Sequence, residues 1–296
     1  MAATTQEPKL VVIVGPTASG KSVLAVKIAK QFNGEIICTD SRTIYKGMDI
    51  GTAKPLRGDQ KVVPHWGLDL LEPGQRFSAA DFKKFAEDKI ANIQNRGKLA
   101  IIVGGTGLYV DALLFDFSFV KPKGMLLHHR LFYPWYSAEK LQKMVAQRDW
   151  PMPENNRNRR HLLNTIRRRG QAGGRKNQPR QDAVIVGILP PDNIIKQRIS
   201  DRANKLLERG IIEETRRLIQ NYGAKAVAGS AGIAYMIIAR LIRGEINQEQ
   251  ALELIKNAEW QYARRQKSWF KRNRYINWFN DPRAAYKFIQ KSLLNT

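Results

Sequence analysis

Cysteine is all but missing from this chain of 296 residues, with Cys38 the single copy. One cysteine excludes an internal disulfide and any multi-cysteine zinc site. Its place in the apolar run Ile36-Ile37-Cys38 reads as a buried, inert thiol rather than a nucleophile. Long hydrophobic runs are missing too: no stretch approaches the roughly 20 apolar residues that a membrane helix needs, so no membrane partner is expected. Residues Met1 to Pro8 have neither the basic start nor the apolar core of a secretion signal. A cytoplasmic protein is expected. Histidines 128 and 129 stand without metal-like company and read as surface residues. Negative charge is the last shortage. There are 26 Asp+Glu against 50 Lys+Arg, a formal net charge of +24. That excess goes beyond what solubility asks for and points to a polyanion, with nucleic acid the default partner.

What is present begins with a loop. Leu10-Val11-Val12-Ile13-Val14 is an apolar strand, Gly15-Pro16-Thr17-Ala18-Ser19-Gly20-Lys21-Ser22 follows, and Val23 to Ala29 reads as a helix. Strand, G-x-x-x-x-G-K-S and helix form the full context of a phosphate-binding P-loop. Its backbone N–H groups turn inward, Lys21 adds a point charge, Ser22 offers a hydroxyl to Mg2+, and the helix N-terminus favours an anion.

The length suits one large domain with an insert, or two domains. A second strand, Glu35 to Thr39, ends in the polar group Asp40-Ser41-Arg42-Thr43. The stretch Lys46 to Val63 is glycine-rich and reads as an irregular surface loop. Ser78 is a helix N-cap, with Phe82, Phe85, Ala86 and Ile90 on one face. Leu99 to Val103 is a buried parallel-type strand leading into a second glycine turn, Gly104-Gly105-Thr106-Gly107-Leu108-Tyr109. The pattern predicts an α/β core of parallel strands flanked by helices. Residues 1–120 form its first part, 121–182 a mainly helical basic insert, and 183–296 the return to the core with basic C-terminal helices. The return starts with the strand Ala183 to Leu189, then a helix capped by Asp192 and stopped by Gly210. Helices follow over Ile211 to Tyr222, near Ala234 to Arg243 and over Glu249 to Lys271. In the long last one, Leu252, Ile255, Ala258, Tyr262 and Trp269 read as core, opposite Arg264, Arg265, Lys267, Lys271 and Arg272. A last strand over Tyr275 to Phe279 and a final helix started by Asp281-Pro282 close the chain.

A hydrolase or kinase would add a strand-end Asp for Mg2+ beside the loop. Asp40 ends the second strand, while Asp111 and Asp116 fall within or after a helix, so the NTPase set is incomplete. A loop that holds a diphosphate as leaving group fits as well.

Four ordered segments carry a family resemblance: Gly15 to Ser22, Asp40 to Pro55 (DSRTIYKGMDIGTAKP), Val63 to Asp69 (VPHWGLD) and Gly104 to Tyr109. With Gln261 to Phe270 (QYARRQKSWF), they resemble the tRNA dimethylallyltransferases (tRNA isopentenyltransferases). The resemblance implies a P-loop NTPase-like fold with an inserted tRNA-binding domain. It also implies transfer of a dimethylallyl group from dimethylallyl diphosphate to N6 of the adenosine 3′ of the anticodon, position 37, by a monomer using Mg2+. By resemblance Asp40 is the general base. Lys21, Thr17, Thr106, the loop Gly15, Pro16, Thr17, Ala18, Ser19, Gly20, Lys21, Ser22 and the Mg2+ on Ser22 meet charge on the departing diphosphate. Arg198 and Arg202 are candidates for the same task, a solvated helix face being their alternative. The tRNA anticodon stem-loop would meet Asp40, Ser41, Arg42, Thr43, Thr106, Arg159, Arg160, Arg264 and Arg265, its target base flipped from the stack. His65 matches a family motif and reads as structural. The chain departs from the pattern at Thr43, where the family has glutamine, and at Ala234-Tyr235-Met236. The segment Arg159 to Asn164 shifts register, and the insert looks short. Rival readings are an adenylate isopentenyltransferase acting on AMP, ADP or ATP, a kinase, and a non-catalytic RNA-binding relic.

Overall fold

Five consecutive aliphatic residues offer water no polar face, and Leu10–Val14 is accordingly a strand, β1, with every residue fully buried. The computed structural model describes residues 10–120, 135–230 and 232–294. In it β1 pairs in parallel with β4 (Leu99–Gly104) on one side and β5 (Ala183–Ile188) on the other. Outside these lie β2 (Gly34–Thr39) with β3 (His65–Trp66) at one edge, and β6 (Asn277–Phe279) at the other. The order is β3-β2-β4-β1-β5-β6, parallel throughout. Val14 and Thr39 both register with Gly104, so three strands end level. Ligands of open parallel sheets bind beyond such ends.

Helices cover the faces. α1 (Lys21–Gln31) buries Leu24, Ala25, Ile28 and Ala29. Ala285 and Ile289 of the last helix, Pro282–Leu294, join the same core. Between them come α2 (Arg57–Val62), α3 (Ala79–Asn95) and α4 (Gly107–Leu114). The start of α3 is locally encoded: Ser78 accepts the Asp81 N–H and Asp81 returns the bond, a capping box that satisfies two orphan donors. Phe82 then stacks on Tyr109 of α4, with centroids 4.4 Å apart.

Phe115–Gln178 forms a separate compact unit. It holds α5 (Ala138–Ala146) and α6 (Arg159–Arg167), capped by Ser137 and Asn158. Leu141, Val145, Leu162 and Ile166 make its own small core. The units divide at 114/115 and 178/179 rather than at 120/121 and 182/183, and the backbone shows why. Ser118 N–H donates to Gly174 O at 2.9 Å and Lys176 N–H to Phe115 O at 2.7 Å, tying 115–118 to the insert. Arg180 N–H donates to Leu114 O, and Asp182 O takes the Leu10 N–H, tying 179–182 to the core. The stretch 121–134, with His128 and His129, lies outside the described residues.

The return to the core runs through α7 (Asp192–Glu208), α8 (Ile211–Tyr222), α9 (Ala224–Ser230), α10 (Ile233–Ile242), α11 (Gln248–Phe270) and α12 (Pro282–Leu294). Pro191, not Asp192, flanks the start of α7, leaving Asp192 as its first helical residue. A second core gathers Ile211, Leu218, Tyr235 and Ile238 with Ile44, Tyr45 and Met48.

The stretch Lys46 to Val63 departs from its reading as a surface loop. It contains α2, and Lys54 is 5% exposed. The Lys54 ammonium donates to Asp49 Oδ1 (2.5 Å), Asp69 Oδ1 (2.6 Å) and Tyr45 O (2.9 Å). The buried Glu214 carboxylate takes the N–H groups of Asp49, Ile50 and Gly51, and the Tyr235 hydroxyl. A polar, glycine-rich segment reads as exposed because Glu214 and Tyr235, which cover its 49–51 turn, lie too far along the chain to leave a local trace.

Candidate active site at the strand ends

The P-loop follows β1 directly. At Gly15 a Cβ would strike the Ile188 carbonyl oxygen, so only glycine lets the loop cross β5 this closely. Gly20 takes the left-handed conformation that starts α1. Ser19 Oγ is fully buried and has no hydrogen-bond partner among the described residues, a donor left for a ligand. Lys21 Nζ donates to Pro16 O at 3.0 Å. Desolvation pushes its ammonium down to about 8, against the pull of Asp40 and with help from Arg202.

Asp40 stands at the end of β2. Its Oδ1 accepts the Arg42 N–H at 2.9 Å. Thr106, on the glycine turn after β4, orients this segment: its Oγ1 accepts the Ser41 N–H at 3.1 Å, and its own N–H donates to Thr39 O. The Arg42 guanidinium lies 4.4 Å over the Tyr262 ring. Burial and then Asp40 raise the Tyr262 phenol, keeping it protonated. Thr43 is buried with Oγ1 unpartnered among the described residues.

A pocket of about 210 Å³ joins these groups, lined by Thr17, Lys21, Ser22, Asp40, Thr43 and Arg202, with Ile36, Cys38 and Val103 as apolar wall. One end suits an anion and the wall suits a short hydrocarbon. Burial pushes the Cys38 thiol up to about 12, so it is no nucleophile. His65 lines the pocket half-buried, its Nδ1–H donating to Val63 O at 2.7 Å and burial lowering its pKa.

Arg198 and Arg202 of α7 reach the loop. Arg198 Nη1 donates to Ala18 O and Ser19 O at 3.2 Å each. Arg202 Nη2 donates to Thr17 Oγ1 at 2.8 Å and pairs with Glu259 of α11. Thr17 Oγ1 thus accepts from Arg202 and keeps its own hydrogen for a ligand. From α11 also come Gln266, bonded to Thr17 and Gly105, and Trp269, whose Nε1–H donates to Asp111 Oδ2 at 2.7 Å. Sequence reasoning placed Tyr262 and Trp269 in the core and passed over Glu259 and Gln266. The spacing carries a partial signal: 259, 262, 266 and 269 lie on one helical stripe, and Glu259 and Gln266 break its aromatic pattern without naming their partners.

Arg264 and Arg265 are exposed on the other face of α11. They line an open groove of about 720 Å³ with Gln261, Ser268, Trp269 and Arg272. Arg159 and Arg160 are exposed in the first turn of α6, in the insert unit. Of the departures at 234–236, Ala234 and Tyr235 are buried, Tyr235 donating to Glu214 Oε1 at 2.6 Å and receiving the Gly51 N–H, while Met236 is 51% exposed.

Among the described residues no three or more His, Cys, Asp or Glu gather into a metal cage. Mg2+ seldom needs one: it takes a protein oxygen or two and completes its shell with phosphate oxygens and water. The Ser22 hydroxyl on the pocket wall fits that donor set.

Comparison with known proteins agrees with this geometry. The family model described as IPP transferase matches residues 43–273. A tRNA dimethylallyltransferase of Carboxydothermus hydrogenoformans is 35% identical over 311 residues, 97% of this chain and 96% of the relative. The solved tRNA isopentenylpyrophosphate transferase of Bacillus halodurans superposes with TM-score 0.71 at 30% identity, covering 98% of both chains. The solved tRNA delta(2)-isopentenylpyrophosphate transferase of Staphylococcus epidermidis gives 0.72 at 32%, covering 98% of this chain and 100% of that one. On a family match over most of its length and relatives at this identity, the chain is an enzyme of the IPP transferase family.

Proposed function

We propose that the enzyme transfers the dimethylallyl group of dimethylallyl diphosphate to N6 of adenosine 37 in tRNA. The observation that carries this is the pocket itself, where a P-loop and a strand-end carboxylate face one small, partly apolar space. The diphosphate occupies the loop, meeting the Ser19 and Thr17 hydroxyls and Lys21. The C5 chain lies against Ile36, Cys38 and Val103. Ser22 would hold Mg2+, which would neutralise charge on the diphosphate when bound. The adenine amine is a poor nucleophile because its lone pair is delocalised into the ring. As N6 bonds to C1 of the allyl group, the C1–O bond breaks and its electron pair leaves on the diphosphate. The proton shed by N6 goes to Asp40, aligned by Arg42 N–H and the Thr106–Ser41 bond. Lys21, Arg198 and Arg202 meet the negative charge that develops.

The target base enters flipped out, with Ser41, Arg42, Thr43 and Thr106 around it and Tyr262 behind Arg42. The α11 groove with Arg264 and Arg265, and Arg159 and Arg160 of the insert, grip the anticodon stem-loop through its phosphates. The inserted unit serves tRNA binding. The enzyme acts as a monomer in this reading. No helix among the described residues is long and apolar enough to cross a membrane.

The test is purified enzyme with Mg2+ and radiolabelled dimethylallyl diphosphate, offered unmodified tRNA or AMP. Label in tRNA and not in AMP is the expected result. Label in AMP alone would make it an adenylate isopentenyltransferase, a substrate that leaves the 720 Å³ arginine groove without a purpose.

A further inference from the structure

α11 runs behind both glycine turns and sends Gln266 between them. This side chain is 5% exposed. Its Oε1 accepts the Thr17 N–H at 2.8 Å, and its Nε2 donates to Gly105 O at 3.0 Å. Both halves of one amide are therefore spent on two loops that leave different strands, β1 and β4. A Cβ on Gly105 would sit on Gln266 Nε2, so glycine at this position is what lets the turn come up to the amide. Each bond has a consequence for the cleft. With its N–H engaged by Gln266, Thr17 presents its hydroxyl, seated by Arg202, as its donor to a ligand. Gly105 precedes Thr106, whose Oγ1 holds the Ser41 N–H beside Asp40.

We propose that Gln266 is a positioning residue, setting the separation between the loop that holds the diphosphate and the turn that aligns the base. It touches neither reactant and acts through Thr17 and Thr106. Leucine or methionine would fill the space equally well, and only a side chain with one acceptor and one donor can bridge an N–H and a carbonyl here. In-line transfer is sensitive to this spacing: a misplacement of about 1 Å costs on the order of 10²-fold in rate. The inference rests on the cleft being the diphosphate and adenine site.

Gln266→Met and Gln266→Glu test it, each compared with wild type for kcat, tRNA affinity, affinity for inorganic pyrophosphate and thermal midpoint. Gln266→Met keeps the volume and loses both bonds; kcat should fall roughly 10- to 100-fold with tRNA affinity within about twofold of wild type. Gln266→Glu is the discriminating variant. When ionised it has no donor for Gly105 O, but when protonated it has one acceptor oxygen and one O–H, matching the amide. Its kcat relative to wild type should therefore climb from the Met level toward wild type as pH falls from about 8 to about 5. Asp40 and Arg202 border the cleft in both proteins; Lys21 is charged over most of this range and the Tyr262 phenol, which hydrogen-bonds Gln266, stays protonated across it, so the recovery reads residue 266 itself. A side chain that merely fills space gives no such acid recovery. Wild-type kcat in Gln266→Met, or a Gln266→Glu no better than Met at any pH, overturns the proposal. If wild type itself neither binds pyrophosphate nor prenylates tRNA, the reading of the cleft fails first and on its own.

Discussion

Beside the P-loop, Arg198 and Arg202 are held by fixed acceptors: two P-loop carbonyls for the first, Thr17 Oγ1 and Glu259 for the second. On the outer face of α11 and just past its end, Arg264, Arg265 and Arg272 border an open groove, and the ring faces of α11 lie under two of them. Arg265 lies 5.8 Å over Tyr262 and Arg272 4.4 Å over Trp269. The same residue type thus serves two purposes a few turns apart. A guanidinium fixed before the ligand arrives has already given up its rotamer freedom and can stabilise charge at one atom. One that is loosely ordered acts as part of a field, attracting phosphates wherever they pass and weakening with salt. A net charge of +24 sums both kinds and distinguishes neither.

The comparison can be broken, and the variants rank by size of effect. Asp40→Asn should lose on the order of 10²-fold or more in turnover with tRNA affinity unchanged, since it removes the proton acceptor beside the clamped arginines. Single-turnover rates and tRNA binding on one preparation decide it, and undiminished turnover would remove Asp40 from the chemistry. Arg202→Ala should cost roughly 10- to 100-fold in kcat/KM for the diphosphate substrate, a charged hydrogen bond's worth, with little dependence on salt. A steep salt dependence of that loss would place Arg202 with the loose arginines instead.

Lys21 sharpens the contrast through pH. Its value in the free enzyme is about 8 against an ordinary 10.5. Below about pH 8 it is already charged, and pyrophosphate binds without taking up a proton. Above that, binding must take one up, so affinity should fall by about tenfold per pH unit. Lys21→Arg, charged throughout, should lack this bend when measured by calorimetry alongside wild type. The same depressed value means that Lys21 works against folding below about pH 8, a cost relieved as pH rises toward 10.5.

The smallest effect is expected from Arg264→Glu with Arg265→Glu. tRNA affinity should drop about tenfold near 0.1 M salt, and the slope of log affinity against log salt should flatten by about one to two. Turnover at saturating tRNA should stay within about twofold. A turnover defect at saturation would mean that these side chains reach into the cleft chemistry.

Much of the fold was legible because its signals are local. β1, β4 and the strand at 183–188 announce themselves as unbroken aliphatic runs, and Ser78 with Asp81 spells a capping box four residues long. The P-loop is equally local, since consecutive residues do its work. What stayed hidden were polar residues whose partners lie far along the chain. The 49–51 turn looked exposed until Glu214 and Tyr235 arrived from other elements. Gln266 sat unremarked inside a basic, aromatic helix, because nothing in its neighbours foretells a bond to Thr17. The insert boundary shifted for a related reason: pairing of Phe115 and Ser118 with Lys176 and Gly174 is a contact between distant segments.

By itself, then, the amino-acid order determined the parallel sheet, the phosphate loop at its end and the basic character of the second half. Burial periodicity, turn chemistry and charge are properties of short stretches. Only the tertiary structure decided which of the many arginines are clamped and which are loose, and that one helix carries both the outer groove and the inner stripe. It decided also that Thr17, Gly105 and Gln266 meet. A buried amide must find its donor and its acceptor somewhere, and where it finds them is settled by packing across the whole sheet rather than by any window of sequence.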